Sequence, residues 1–166
     1  MWKSPTRGTC PASINRRRSF RRCHRFSRST DLSDRTPGPR FDKGMAVRRA
    51  VLGDAHVDRA TRAATALDTD FQTLIVEGAW GTVWSDDSIT RRERSMITIA
   101  LLAALGHHDE LKMHIKACRN TGASADDIRE ALMHVAVYAG VPAANTAFKI
   151  AKQVLYEGTE DTDRQE

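Results

Sequence analysis

Cysteine is scarce in this 166-residue chain, and long apolar runs are missing. The three cysteines, Cys10, Cys23 and Cys118, form no CxxC pair and have no zinc-type spacing, which argues against a redox or zinc motif. An odd number of cysteines without a hydrophobic signal segment is typical of a reducing compartment, so we predict a cytoplasmic protein. No run approaches the roughly 18 apolar residues of a membrane span, and no membrane partner is expected.

Acidic residues are almost missing from the first 40 positions. Residues 1–40 contain eleven Lys or Arg and two Asp, a net charge of +9, whereas the other 126 residues contain fifteen basic and nineteen acidic side chains, a net charge of −4. The positive charge belongs to this segment, so no nucleic-acid partner is expected for the folded domain. We predict that residues 1–40 form a disordered Arg-rich tail. A transit peptide, weak RNA binding and a start codon assigned too far upstream all stay open as explanations.

Strand-like alternation of apolar and polar residues is missing after residue 40. Every segment there has the spacing of a helix. We predict one all-α domain of six or seven helices over residues 41–158, followed by a polar C-terminal tail at residues 159–166. Two segments, MITIALLAAL and ALMHVAVYAGV, are apolar nearly all round, which favours cover by a second subunit and hence a homo-oligomer.

Local signals predict where several helices begin and end. Thr90 and Glu93 form a T-x-x-E capping box, and Gly106 closes the helix that this box opens. Asp54 is expected to cap the second helix, and Pro142 is expected at the first position of the last one. The links that remain between the helices are short.

Metal and nucleophile signatures are missing from the histidine-rich helix at residues 107–122. HExxH is absent, and His107 lies about 10 Å along the helix axis from His114, too far to share one ion, so no metal is expected. Cys118 can reach His114, but no third group orients such a pair for nucleophilic catalysis. Glu110 lies one turn before His114, where the apolar stripe of the helix enters the core. Either an acid–base pair or an ordinary buried histidine explains this pattern.

A second group of polar side chains interrupts apolar segments. His134 and Tyr138 lie one turn apart on one helix, and Asn145 follows inside the next helix, whose first N–H groups form a natural anion site. Trp80 could supply an apolar wall. Core packing explains each residue alone, but together they predict a substrate pocket with a few polar groups in an apolar lining.

Four segments carry a family resemblance: VRRAVLGDAHVDRA, AWGTVW, RRERSMITIALLAALGHHDELKMHIKACRNTG and IREALMHVAVYAGVPAANTAFKIAKQVL. Over about residues 41–155 the chain resembles the carboxymuconolactone decarboxylase family of the alkylhydroperoxidase D-like superfamily. The resemblance implies an all-α fold, a homo-oligomer such as a trimer or hexamer, and no cofactor. It also implies decarboxylation of 4-carboxymuconolactone, a lactone dicarboxylate, to 3-oxoadipate enol-lactone in protocatechuate degradation, the β-ketoadipate pathway.

Thiols are missing where the peroxidase branch of this superfamily carries them. That branch has C-x-x-C-x-x-x-H on the corresponding helix, and here His107 and Glu110 take the two cysteine positions while His114 keeps the histidine position. The proton-relay glutamate of that branch corresponds to Ser95. The resemblance therefore implies proton chemistry instead of thiol peroxidase chemistry.

A decarboxylation of this kind needs a proton donor and a stabilised oxyanion. We assign His114 as the acid or as the donor to the lactone oxygen, with Glu110 adjusting its proton affinity. His134 and Tyr138 are the next candidates as oxyanion donors, and His107 could contact a carboxylate.

Holding the acetate arm of the substrate calls for a guanidinium group. We expect Arg94 or Arg49 in this role, with Arg48 and Arg91 as open alternatives, and we interpret His56 as a surface residue. Three other functions stay open. They are a same-fold decarboxylase or lactone-processing enzyme with another substrate, a non-catalytic oligomeric binding protein, and an RNA-associated protein that acts through its tail.

Overall fold

The computed structural model describes residues 38–156, and these residues form seven α-helices and no strand. In chain order the helices are α1 Pro39–Leu52, α2 Asp54–Ala63, α3 Thr69–Ile75, α4 Arg91–Leu105, α5 His108–Thr121, α6 Ala125–Tyr138 and α7 Val141–Leu155. A π-helical segment, Val76–Val83, continues α3 without a break. The prediction of an all-α domain with six or seven helices is confirmed. Residues 1–37 of the predicted tail, and the polar tail at residues 159–166, lie outside the described residues.

The ends of α4 form as the sequence predicts. The Thr90 hydroxyl accepts a hydrogen bond from the backbone N–H of Glu93, whose carboxylate accepts one from the N–H of Thr90 at 2.7 Å. Gly106 closes the helix in the left-handed region at φ 74°, which glycine adopts without steric cost. An equivalent capping box, formed by Ser124 and Asp127, opens α6.

Two other predicted helix starts are wrong by one residue. Gly53, at φ 84°, both closes α1 and precedes α2, so Asp54 is already the first residue of α2. The Asp54 carboxylate accepts a hydrogen bond from Arg49 instead of capping the helix. The last helix begins at Val141, one residue before the predicted start, because Gly140 at φ 102° makes the turn from α6.

Two glycines bring α1 and the π-helical segment into backbone contact. A Cβ atom at Gly44 would lie 2.3 Å from the carbonyl oxygen of Val76, and one at Gly81 would lie 2.4 Å from that of Arg40. Neither position accepts a larger residue unless a backbone moves. This close contact presses the π-helical segment against α1, and it determines where the aromatic side chains of that segment lie.

Helices α4 to α7 enclose the larger hydrophobic core, whose fully buried members include Ile99, Leu111, Ile115 and Leu132. The outer faces of α4 and α6 stay open in a single chain. The large apolar side chains exposed there are Ile97, Leu101, Leu105, Met133, Val137 and Tyr138. Each of these two apolar helices is therefore covered on one side only. None of the described helices combines the length and the apolar character that a membrane crossing requires.

Candidate active site

His114 lies buried on α5 beside Trp80 of the π-helical segment and Trp84, the residue that follows this segment. Its ring centroid is 6.3 Å from that of Trp80 and 5.8 Å from that of Trp84, and the ring planes are tilted by only 10° and 21°. The two indoles are themselves 5.3 Å apart. The imidazole is 7% exposed, and its Nδ1 atom is buried without a hydrogen-bond partner among the described residues. A buried polar atom without a partner is costly, so this atom is suited to a ligand or a water molecule.

Burial determines the charge of His114. It lowers the pKa of the imidazole to about 4, although the nearby Glu110 carboxylate acts in the opposite direction and raises it. The positive charge of His56 lowers the pKa further. The sequence predicted a histidine whose pKa could move across neutrality, and in the structure it moves downward. His114 is therefore neutral at pH 7, with one nitrogen able to donate and the other able to accept.

Two side chains from the first two helices extend this group. His56 is half-buried, and its pKa is lowered by burial and by the charges of Arg48 and Arg59. The interpretation of His56 as a surface residue is wrong, because the start of α2 turns it toward α5. Arg48 is also half-buried, and burial lowers its pKa. These groups affect one another's pKa values in sequence. The charge of Arg48 lowers the pKa of His56, and a charge on His56 lowers the pKa of His114.

A cleft of about 560 Å³ opens beside this group, between the start of α2 and α5. Its floor includes Ala117, which also packs on Trp80 and Trp84, and its wall includes His56. His114 itself does not line the cleft. The other charged side chains around the cleft are Arg59, Lys112, Lys116, Arg119, Asp54 and Asp109. Positive side chains outnumber the two carboxylates, so the cleft favours anions.

The predicted residues at the start of α5 lie in solvent. His107 is the N-cap residue and makes no side-chain cap, and Glu110 is exposed one turn before His114. The charge of Glu110 raises the pKa of His114, but the two side chains form no direct hydrogen bond among the described residues. Trp80 is 5% exposed and serves as a wall for the imidazole itself.

The predicted residues on α6 and α7 lie elsewhere in a single chain. His134 and Tyr138 stack on each other, with 5.9 Å between ring centroids, on the exposed face of α6. Asn145 is exposed on α7. The core face of α6 carries Ile128, Leu132 and their neighbours instead. One chain thus does not bring His134, Tyr138 and Asn145 to His114, and His134 and Tyr138 lie on the open apolar face of α6 described above.

The two arginines expected to hold the substrate already bind carboxylates. Arg49 donates to Asp54 at 3.0 Å and lies 2.8 Å from Asp58. Arg94 donates a hydrogen bond to the Asp86 carboxylate at 3.0 Å and another to the backbone carbonyl oxygen of Asp86 at 2.7 Å. These bonds attach the loop before α4 to the first turn of that helix. Arg48, one of the open alternatives, has no carboxylate within ion-pair distance in the described part of the chain.

Cys118 is buried in the core, where its thiol is not placed to act as a nucleophile. It is 3% exposed, its thiol donates to the carbonyl oxygen of His114 at 3.4 Å, and burial raises its pKa to about 11. Ser95, at the position of the peroxidase relay glutamate, is buried and shares a 2.7 Å hydrogen bond with Thr121. Between residues 38 and 156, no three histidine, cysteine or acidic side chains converge as metal ligands would.

Seven helices around a buried neutral histidine, with a cationic cleft beside it, define an all-α protein with a site for a small organic acid. The chain belongs to the carboxymuconolactone decarboxylase family, whose sequence model matches residues 69–153. That match contains His114, Glu110 and both tryptophans of the site, but it begins after Arg48 and His56.

Two similar proteins carry the name of one activity. A 4-carboxymuconolactone decarboxylase from Acinetobacter baylyi is 44% identical over 116 residues, which cover 70% of this chain and 87% of that protein. A protein of the same name from Pseudomonas putida is 52% identical over 42 residues, 25% of this chain and 88% of that protein. Nitrosuccinic acid decarboxylase npaB from Metarhizium robertsii is 38% identical over 115 residues, 69% of this chain and 80% of that protein.

Proposed function

We propose that the chain decarboxylates 4-carboxymuconolactone to 3-oxoadipate enol-lactone, a step of protocatechuate degradation in the β-ketoadipate pathway. The observation that carries the proposal is a buried neutral histidine with a free Nδ1 atom beside two indoles, in a chain 44% identical to a relative with that name. The same site supports proton transfer to a small acid and does not support thiol chemistry, because Cys118 is buried and protonated.

The substrate carries its own electron sink. When the bond between the ring carbon and its carboxylate breaks, the electron pair moves through the ring double bond to the lactone carbonyl oxygen, and CO₂ leaves. One proton then adds to the ring carbon beside that carbonyl, which gives the enol-lactone. The protein has to stabilise the dienolate oxygen and deliver this proton, and one well-placed donor is worth about 3–4 kcal/mol of barrier.

His114 can perform both tasks in sequence. As a neutral imidazole it donates one N–H to the developing dienolate oxygen. The arrival of a dianionic substrate raises the pKa of the buried imidazole, as Glu110 already does, and so draws a proton to the site. The apolar indole walls leave the reacting carboxylate poorly solvated, which favours its loss as neutral CO₂.

The remaining predicted residues require a second subunit in this proposal. We propose a homo-oligomer, a trimer or hexamer, that covers the open faces of α4 and α6. Those faces expose large apolar side chains, for example Leu101 at 56% and Val137 at 74%, and contiguous patches of this kind mark protein contacts. His134, Tyr138 and Asn145 would then approach a site from a neighbouring chain, with His107 at its rim. We also propose a cytoplasmic location, supported by the unpaired buried thiol of Cys118.

The decisive experiment is a direct assay. The substrate is generated from protocatechuate with its dioxygenase and cycloisomerase, the full chain is added without metal or thiol, and CO₂ release and enol-lactone formation are followed. Turnover far above the spontaneous rate supports the proposal. Absence of acceleration by folded protein contradicts it.

A second substrate comes from the relative named nitrosuccinic acid decarboxylase, which is 38% identical to this chain. Nitrosuccinate also carries an electron sink, the nitro group, on the carbon that bears a carboxylate. Both compounds are therefore assayed side by side, and the ratio of their kcat/KM values decides which one this site prefers.

A further inference from the structure

We infer that Arg48 is the specificity-determining residue of this site, and that it binds the carboxylate that stays on the product. The recognised chemical unit is a succinate group, in which two carboxylates lie on adjacent carbons. One carboxylate leaves as CO₂ near His114, and the other is held by Arg48. The inference rests on the proposed function and adds to it the group that selects the substrate.

Arg48 differs from Arg49 and Arg94, the other half-buried arginines, because it has no carboxylate partner among the described residues. The other arginines of the described residues that lack a carboxylate partner are exposed: Arg40, Arg59, Arg62, Arg91 and Arg119. Arg49, Arg92, Arg94 and Arg129 each bind at least one carboxylate. Arg48 has only a 3.5 Å hydrogen bond from Nη1 to the Gln72 side-chain oxygen, at the upper limit for such a bond, and its Nε is buried without a partner. A half-buried guanidinium without an anion is uncompensated, so the position is suited to an incoming carboxylate.

The space beside Arg48 has the size of that carboxylate. A cleft of about 130 Å³ is lined by Arg48 and Gln72 together with apolar side chains that include Phe41, Met45 and Val76, and it contains no second charged residue. This volume is large enough for a CH₂–COO⁻ group, since about 10–15 Å³ by the same measure already holds one water molecule. The polar residues of the lining are Arg48, Gln72, Thr61, Thr69 and Thr73, and the apolar side chains would contact the methylene.

His56 does not line this cleft, but it lies within electrostatic reach of both ends. The charge of Arg48 lowers the pKa of His56, and a charge on His56 lowers the pKa of His114. A dicarboxylate bound with one end at Arg48 and the other toward His114 would neutralise the charge of Arg48 and raise the pKa of both histidines. No acidic side chain of the described residues does so at Arg48.

The names of the relatives identify the shared chemical unit. In 4-carboxymuconolactone the reacting carbon bears a carboxylate and a CH₂–COO⁻ arm, and nitrosuccinic acid contains the same succinate skeleton. Their electron sinks differ, a lactone in one and a nitro group in the other. The CH₂–COO⁻ arm that stays on the product is therefore the group that both compounds offer for binding. The family model matches residues 69–153, so Arg48 lies outside the segment that this model describes.

The test measures how well the full chain distinguishes a free carboxylate from its ester. Succinate and dimethyl succinate are used as ligands, by calorimetry and as inhibitors, for the wild type, Arg48→Gln and the control Arg129→Gln. Arg129 is an exposed arginine on α6 with Asp126 and Glu130 as partners. We expect the wild type and Arg129→Gln to prefer succinate by about 10–100-fold, and Arg48→Gln to lose this preference. An unchanged preference in Arg48→Gln overturns the inference.

Kinetics give an independent readout. Because the retained carboxylate is bound in both the ground state and the transition state, Arg48→Gln should raise KM about 10–100-fold with a smaller change in kcat. A fall in kcat with unchanged KM overturns the inference in favour of a structural role. If Arg48→Gln fails to fold, Arg48→Lys takes its place, since it keeps the charge and loses the planar fork. A several-fold loss of the acid–ester preference then supports the inference, and an unchanged preference overturns it.

The two proposals fail separately in these experiments. A wild type that prefers succinate through Arg48 but decarboxylates neither substrate contradicts the proposed function and leaves the carboxylate site standing. A wild type that decarboxylates the lactone with the same KM after Arg48→Gln contradicts only the inference.

Discussion

His114 lies against the indole of Trp84, with 5.8 Å between the ring centroids and 21° between the ring planes. Trp80, one turn earlier in the π-helical segment, has its ring centroid 6.3 Å from that of His114. The two indoles take the imidazole out of water, and this burial is the main cause of its lowered pKa. The aromatic contact therefore determines which protonation state the site offers to a substrate.

Replacing His114 by Gln should lower kcat for the lactone at least about 100-fold, because a general acid or oxyanion donor contributes about 10²–10⁴-fold. Steady-state assays with circular dichroism measure this effect and check that the helices persist. His108→Gln is the matched control, since His108 is an exposed histidine on the same helix. Near-normal turnover of the His114 variant would remove this residue from the mechanism.

The free energy of unfolding should fall as the pH decreases from about 6.5 to about 4. In this range the unfolded chain protonates His114, whose unperturbed pKa is about 6.5, whereas the folded chain holds it neutral down to a pKa of about 4. The unfolded state binds more protons, so stability rises with pH across this window, by up to about 3 kcal/mol. Urea titrations of the wild type and His114→Gln measure it, because the difference between them isolates this histidine. A difference that does not change between pH 4 and 6.5 speaks against the lowered pKa.

Cys118→Ser should keep most of the decarboxylase activity. The thiol is buried and protonated at neutral pH, since burial raises its pKa to about 11, and it contacts a backbone carbonyl instead of a substrate. The native thiol should also resist alkylation by iodoacetamide until the chain is unfolded. Assays and mass spectrometry after labelling test both points, and loss of activity in a folded Ser variant would indicate thiol chemistry.

Gly44→Ala should destabilise the fold and lower activity. The new methyl group would lie 2.3 Å from the carbonyl oxygen of Val76, so α1 and the π-helical segment must separate. Overpacking of this kind costs about 1–3 kcal/mol, and it displaces the tryptophans that cover His114. Gly78→Ala is the matched control, because its methyl group would meet no atom within 4 Å. Thermal melts and tryptophan fluorescence measure the change, and equal melting temperatures for the two variants would contradict the close contact.

Val137→Asp should weaken self-association. Val137 is 74% exposed on the open face of α6, where a second subunit would have to bury the new charge. Light scattering after size exclusion gives the mass of each variant. Lys152→Asp, an exposed change of charge on α7, is the control and should assemble like the wild type. A wild-type chain that is monomeric in solution would contradict the proposal of a homo-oligomer.

Local chemistry explains why much of the fold could be predicted. The Thr90–Glu93 capping box and the left-handed Gly106 depend on residues within one or two turns of each other, and both occur as expected. Asp54 failed as a cap because Gly53 serves two helices at once. That arrangement depends on how α1 and α2 meet, which no local pattern contains.

The candidate site could be predicted only in part. The stripe on α5 led to His114 because its spacing places this residue beside core positions. Arg48 and Arg49 are neighbours in sequence, but they lie about 100° apart around α1. One reaches Asp54 and Asp58, and the other reaches a small cleft without a carboxylate. His56 was misjudged because its partner on α5 lies far along the chain.

The sequence by itself determined the helices, their caps, the lack of peroxidase thiols and the histidine on the buried stripe, because these depend on residue types at short spacing. The tertiary structure alone decided that this histidine is neutral, that Arg49 and Arg94 are occupied and that Arg48 is not. Those properties arise from burial and from ion pairs between distant or differently directed segments. Electrostatic energy depends on distances in space and on access to water, and both are determined only when the helices have packed.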